Sequence, residues 1–205
     1  MGGAARATNV HRPGRAQVKP SDQLEYQRDT LRGLVAGVTP EQLSRPTPCT
    51  EWDVRGLISH FVGGAAMFAA AFNGETMDID PDAPMPDLVG NDPLGAFDGA
   101  IAMFNTAVDQ PGAMDRMITL PFGTLPAPMV LELLKFDLLV HCWDLATATG
   151  QPFDPPADAV EHGLEVAKVI VSRELRDAGT FGDEVTVDVQ SQPIDRLVAF
   201  TGRTI

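Results

Sequence analysis

Residues 129–150 read MVLELLKFDLLVHCWDLATATG, a run that is apolar at almost every turn. That is the pattern of a helix buried on several sides. Asp137, His141 and Asp144 interrupt it at steps of four and three. At about 100° per residue the three lie along one stripe. Val130, Leu134, Leu138 and Leu145 flank the stripe, so it is expected to face protein rather than water. A lone charge in such a place costs several kcal/mol even after relaxation, so something must compensate it. A metal ion would do so. The plainer reading has satisfied core histidines and a surface or capping Asp137.

The chain has 205 residues, which suits one domain with one sizeable core. No uninterrupted apolar run approaches the length of a membrane span, and no membrane partner is expected. The formal net charge is −13. Residues 1–20 hold four basic side chains and no acid, so the remainder is more negative by four. Such a surface repels phosphate backbones, which argues against nucleic acid. Cys49 and Cys142 are too few for a disulfide framework, and no signal-peptide pattern precedes them. A reduced cytoplasm is the expected compartment. A homodimer is compatible with the sequence but not set by it.

Residues 1–20 lack apolar periodicity and are expected to form a disordered extension that the fold does not need. A first helix is expected from 21 or 22 to 38, with Leu24, Leu31 and Leu34 on its buried face and the Ser21-Asp22 pair capping it. Three prolines then enforce turns. A second helix is expected over 51–73, capped by Thr50 and ended by Gly74. Leu57, Phe61, Gly64 and Phe68 form its stripe, and His60 lies on the edge. The acidic loop 74–92 contains Asp78-x-Asp80-x-Asp82, but Ala83 and Val89 replace the glycine and glutamate of a calcium loop, so calcium binding is rejected. A third helix fits 93–109 and a hairpin fits 115–126. After Gly150 a fifth helix is expected over 157–176, a strand over 185–189 and a short helix over 194–200.

Two histidines and one carboxylate form a common catalytic ligand set that leaves coordination positions open. Asp137 and His141 would share one helix face, and His60 would come from the facing helix, as bundle metal sites are built. Asp144 either accepts a hydrogen bond from a ligand imidazole or meets a surface arginine. Cys142 points off the stripe and reads as a small buried hydrophobe. Cys49 precedes a helix start, where a thiolate would be stabilised, although a structural role is the favoured reading. His162 falls off the buried side of its helix. No glycine-rich nucleotide fingerprint, phosphate loop or serine-hydrolase elbow is present.

Thr47-Pro-Cys-Thr-Glu-Trp52, Val54-Arg55-Gly56-Leu57 and His60-Phe-Val-Gly-Gly64, together with His141-Cys-Trp-Asp-Leu145 and Ala148-Thr-Gly-Gln151, resemble the mycothiol-dependent maleylpyruvate isomerase-like proteins of the DinB-like superfamily. The ending Phe181-Gly182, Ile194-Asp-Arg-Leu197 and Ala199-Phe200 extends the resemblance over about residues 22–203. It implies a mainly all-α fold, an up-down-down-up four-helix bundle over 21–150. A small hairpin excursion and a C-terminal helical extension over 151–205 packed on the bundle complete it. It also implies a divalent metal, zinc in the first instance, held by His60, Asp137 and His141. The isomerase carries glutamate where this chain has the shorter Asp137, and this chain lacks the length for its full second domain.

Two functions follow as expectations. One is a metal-dependent transferase or isomerase with a mycothiol-like thiol as cosubstrate and an electrophilic small molecule as substrate. The alternative is a metal-binding sensor or docking bundle without catalysis.

Overall fold

A computed structural model of the chain describes residues 19–75 and 86–205. The expected N-terminal extension lies outside the described residues apart from Lys19 and Pro20, and so does the Asp78–Asp82 segment.

Four long helices form the bundle: α1 (Glu25–Ala36), α2 (Val54–Phe72), α3 (Pro93–Val108) and α4 (Ala127–Thr149). Their directions can be read from contacts at the ends. Arg55 at the head of α2 donates to the Gly90 carbonyl just ahead of α3, and Gln110 beyond α3 donates to Asn73 beyond α2. These two helices therefore run parallel, which requires the long crossover between them. Gln151 after α4 donates to the Leu34 carbonyl near the end of α1, so those two also run together. Ser21 ahead of α1 reaches Asp109 at the end of α3, making the two pairs opposed. The result is the up-down-down-up bundle of the DinB-like fold.

Between α3 and α4, β1 (Met117–Leu120) pairs antiparallel with β2 (Gly123–Pro126) around a two-residue turn. After α4, the helices α5 (Ala157–Ile170), α6 (Arg173–Asp177) and α7 (Pro193–Phe200) pack against its outer side. Three apolar clusters meet at α4. Leu131 and Leu134 join Phe72, Phe104 and Ile118 at one end of the bundle. Leu145 joins Leu31, Leu57 and Phe97 at the other. Leu139 and Val140 face outward to Val160, Leu164 and Leu197. Burial on several sides is what its unbroken apolar pattern requires.

Several boundaries differ from expectation, each for a tertiary reason. Ser21–Leu24 is a 3₁₀ turn rather than the first turn of α1. The Ser21 amide and hydroxyl both donate to the Asp109 carboxylate, so this side chain does not cap its own helix. Thr50 is not the cap of α2. The helix starts three residues later, where the Asp53 carboxylate accepts from the Gly56 amide. Backbone amides of Val54 and Arg55 donate to the Arg45 and Leu43 carbonyls, which holds the preceding loop off the helical path. The expected helix over 157–176 breaks at Val171, where ψ is 87°, and Ser172 caps the separate α6. Residues 185–189 form no strand; Val185 makes one backbone bond to Ala199. Among the described residues one helix, α2, is long and apolar enough to cross a membrane by length and composition, although Arg55, Ser59 and His60 interrupt its apolar run. Here Leu57, Ile58, Phe61, Phe68 and Phe72 are buried in the bundle.

Candidate metal centre

His60 sits one and a half turns into α2, and Asp137 and His141 share a face of α4. The structure brings all three together. His141 Nε2 lies 3.5 Å from Asp137 Oδ1, and His60 Nε2 lies 3.8 Å from Asp137 Oδ2. All three candidate donor atoms fall within 4.8 Å of one another. The two nearer separations are too long for good hydrogen bonds. They are close to the roughly 3.4 Å expected between neighbouring ligands placed about 2.1 Å from a shared tetrahedral ion.

The back of the site explains why these atoms face each other. Asp144 is fully buried, and its Oδ2 lies 2.9 Å from His141 Nδ1. Arg203 donates to both Asp144 oxygens, from Nε at 3.2 Å and from Nη2 at 2.9 Å. Burial pushes the Asp144 carboxyl up, but the hydrogen bonds and charges of His141 and Arg203 outweigh it and hold it below its ordinary value. An ionised carboxylate only accepts hydrogen bonds, so His141 Nδ1 carries a proton and donates it. In the neutral ring, Nε2 then presents a lone pair toward another carboxylate. Burial also pulls the Asp137 carboxyl up, yet positive charge on the nearby His141, His60 and Arg203 holds it at about 2. A divalent ion between Asp137 and the two histidines would take the place of the imidazole protons as the positive charge this carboxylate requires. The donor set fits a divalent ion.

Aromatic rings fix the imidazoles from the side. Trp52 stacks on His60 with ring centroids 4.4 Å apart and an interplanar angle of 25°. Phe61 meets His141 edge-on at 5.9 Å. Trp52 is placed by Thr47, whose hydroxyl is shared between the Cys49 and Trp52 carbonyls. Arg203 is delivered by a tight crossing of backbones. Gly202 has φ +93° and is so close to Gly182 that a Cβ on Gly202 would lie 2.5 Å from the Gly182 Cα. Any other residue there is strained and also collides.

Asp144 thus takes both parts foreseen for it, accepting from the imidazole and meeting an arginine, but that arginine is buried rather than at the surface. Arg203 and Trp52 are the side chains around the candidate ligands that spacing alone does not reveal. Arg203 lies 59 positions from its partner, and no periodic signal connects them. Cys142 is buried as expected and burial raises its pKa. His162 is at the surface, 2.6 Å from Glu132 across the α4–α5 contact. The structure argues against the thiolate reading of Cys49, the less favoured of the two. This residue comes near His141 and Asp144, but it is four residues ahead of the Asp53 cap. Burial pushes its thiol up to about 11, with Asp144, Glu51 and Asp137 adding to that and Arg203 opposing. Alkylation of Cys49 by iodoacetamide, followed by mass spectrometry, is therefore expected to be slow at pH 7.5 and to accelerate only toward pH 10 and above. Rapid modification at pH 7 would show a stabilised thiolate instead.

A cavity of about 450 Å³ has His60, Asp137 and Gly64 on its wall, together with apolar side chains of the bundle helices, Phe122 of the hairpin turn, and Ile170, Leu175 and Phe181 of the C-terminal extension. This is within the range of about 300–1,000 Å³ typical of small-molecule sites.

The sequence profile of the mycothiol maleylpyruvate isomerase N-terminal domain matches residues 24–146, more than half of the chain. The chain belongs to that family. Within the mycothiol maleylpyruvate isomerase N-terminal domain family, the matched span holds His60, Asp137, His141 and Asp144, whereas Arg203 comes from beyond it. Two relatives from Mycobacterium tuberculosis extend the similarity further. They are the uncharacterized protein MT0763 of strain CDC 1551 / Oshkosh and the uncharacterized protein Rv0738 of strain ATCC 25618 / H37Rv. Each is 35% identical over 182 residues, covering 87% of this chain and 94% of the relative. No solved structure matches the chain at a significant level.

Proposed function

We propose that the protein is a divalent-metal enzyme that uses a low-molecular-weight thiol of the mycothiol type to transfer or isomerise an electrophilic small molecule. The observation that supports this is the meeting of two imidazole nitrogens and one carboxylate on the wall of an apolar cavity. His60, Asp137 and His141 would hold the ion, and zinc suits two imidazoles and one carboxylate. When bound, such an ion stabilises a thiolate over a thiol near neutral pH.

The chain's own residues do the rest. Asp144 and Arg203 keep the His141 ring in one tautomer and one orientation. Trp52 stacks on the His60 ring and Phe61 meets His141 edge-on, which holds both imidazoles from the side. The cavity places an electrophilic carbon beside the site. The thiol proton leaves to solvent, and a sulfur lone pair forms a C–S bond with that carbon. The C–S bond forms as the π bond of an activated double bond opens toward its electron-withdrawing group. In an isomerisation the resulting single bond rotates, the π bond re-forms and the thiolate is expelled to regain its proton. In a transfer the neighbouring carbon takes a proton from solvent and the C–S bond stays in the product. No protein nucleophile is needed, which agrees with a protonated Cys49 and a buried Cys142. A reduced cytoplasm suits both free cysteines and a thiol cosubstrate, and the acidic surface disfavours nucleic acid.

The test is elemental analysis of the purified chain followed by calorimetric titration with mycothiol, before and after chelation. One divalent ion per chain is expected, with thiol binding confined to the metal-loaded form. Failure to take up metal would overturn the proposal. Metal uptake without thiol binding would favour a metal-binding sensor or docking bundle.

A further inference from the structure

We propose that the electrophile used at this site is an uncharged, largely apolar or aromatic molecule, and not a small dianion such as the dicarboxylate in the family's name. This rests on the thiol-enzyme reading above and specifies its substrate class.

The cavity walls decide the class. Phe61, Phe97, Ile101, Phe104, Phe136 and Phe181 supply much of the lining. Among the described residues around the cavity, Arg28 is the one Lys or Arg, and its Nε already donates to Asp29 at 3.1 Å. The other charged or polar groups are His60 and Asp137 themselves, Asn105 and Thr180. A dianion would bring two carboxylates into this space. An ion held by His60, Asp137 and His141 could meet one of them, and among the described residues the walls offer the other only the Arg28 guanidinium, which Asp29 shares. Burying an unpaired charge is far more costly than burying an aromatic ring, which gains from leaving water. Pairs of rings also favour an aromatic guest through edge and offset contacts.

Gly64 is the residue that keeps the room. It stands one turn beyond His60 on α2, on the same face, and lines the cavity. Glycine inside a helix is destabilising relative to alanine, so it calls for a reason. Packing is not the reason, because a Cβ on Gly64 would meet no atom within 4 Å. Its neighbour Gly63 differs, since a Cβ there would meet Leu88 Cδ1 at 3.1 Å. The volume that Gly64 leaves empty belongs to the cavity next to the metal-ligand candidates, where the reacting part of a guest must sit.

The experiment uses the metal-loaded full chain and the neutral fluorophore N-phenyl-1-naphthylamine. Fluorescence enhancement on binding is followed, with 1-naphthol and maleate as competitors. Binding of the fluorophore is expected, with displacement by 1-naphthol and none by maleate at tenfold higher concentration. Gly64→Leu should weaken fluorophore binding by about tenfold or more through lost space, with metal content unchanged and the melting temperature not lowered. Gly64→Ala, which adds one methyl and suits the helix, should weaken it by a smaller factor and guards against misfolding of the larger variant. Displacement by maleate as readily as by 1-naphthol would overturn the proposal, as would fluorophore binding indifferent to both substitutions. Metal content and mycothiol binding are measured on the same samples. If both are absent, the thiol-enzyme reading fails and this inference fails with it. If both are present and maleate displaces the fluorophore, this inference fails alone.

Discussion

Replacing Asp137 by asparagine is expected to lower the affinity for a divalent ion by on the order of a hundredfold or more, beyond the loss typical of residues that merely support a ligand. Asparagine keeps the shape of the side chain and removes the charge. That charge is present at neutral pH, because His141, His60 and Arg203 together outweigh the opposing effect of burial and hold the carboxyl at about 2. A neutral amide is a poorer zinc ligand and no longer offsets the ion's charge. At a metal concentration 100 times the dissociation constant, binding stabilises the native state by about 2.7 kcal/mol. For a chain of this size that is roughly 5–11 °C of melting temperature. The variant should lose this metal-dependent rise, measured by calorimetry with and without chelator. Other readings give other results. If Asp137 were only a buried carboxylate short of partners, asparagine would stabilise the metal-free protein. If it were an ordinary surface group, stability would change by less than about 0.5 kcal/mol. Stoichiometric metal retained in Asp137→Asn would exclude this residue from the site.

The second large effect is expected at the other end of the chain. Arg203→Met keeps most of the apolar stem but removes both donors to Asp144. A buried pair that loses one partner costs about 3–5 kcal/mol, because the remaining charge stays desolvated. That corresponds to a fall of roughly 6–20 °C in melting temperature. The pH dependence supplies an independent check. Asp144 has its folded pKa held below the ordinary 3.8, so the unfolded chain binds the proton more readily. Its contribution is therefore complete above pH 3.8 and is lost as the pH falls below that value toward the folded pKa. Removing Arg203 takes away part of the cause, so the variant should start less stable and show a shallower acid limb. Metal affinity should also fall by about 10–100-fold through the loosened His141 ring, the usual consequence of losing a group behind a ligand. A melting temperature within 2 °C of wild type, with unchanged metal affinity, would show that the arginine merely caps the surface.

The two variants also separate the halves of the site. Asp137 acts on the open side, toward the cavity, and Arg203 acts through Asp144 on the closed side. Asp137→Asn should alter metal binding while leaving the packing of α7 intact. Arg203→Met should weaken the docking of α5–α7 and the metal centre together, because one buried ion pair ties the last residues of the chain to α4.

The helix content, the order of the long helices and the candidate ligands were legible in the amino-acid sequence because each rests on local periodicity. The 3.6-residue repeat places Leu131, Leu134, Leu138 and Leu145 among buried neighbours whatever the partner elements are, and the four-residue step puts Asp137 beside His141. A step of three likewise places Asp144 against His141 Nδ1. The sequence also implied that His60 would face this pair, since its helix carries one polar group at the edge of an apolar stripe. Boundaries were less legible. Thr50 and Asp53 are both good caps, and the choice between them was made by Arg45 and Leu43, which accept the first free amides of α2 from outside the helix. The break at Val171 and the missing strand over 185–189 are similar, because the competing bonds come from residues far along the chain. Tertiary structure alone decided the role of Arg203. Its charge, 59 positions from Asp144, is buried only because Gly182 and Gly202 let two backbones pass at a distance no side chain permits. Local spacing records which residues share a helix face. It does not record which distant segment will cover that face, and that covering segment is what turns a hydrogen-bonded histidine into one with a fixed tautomer.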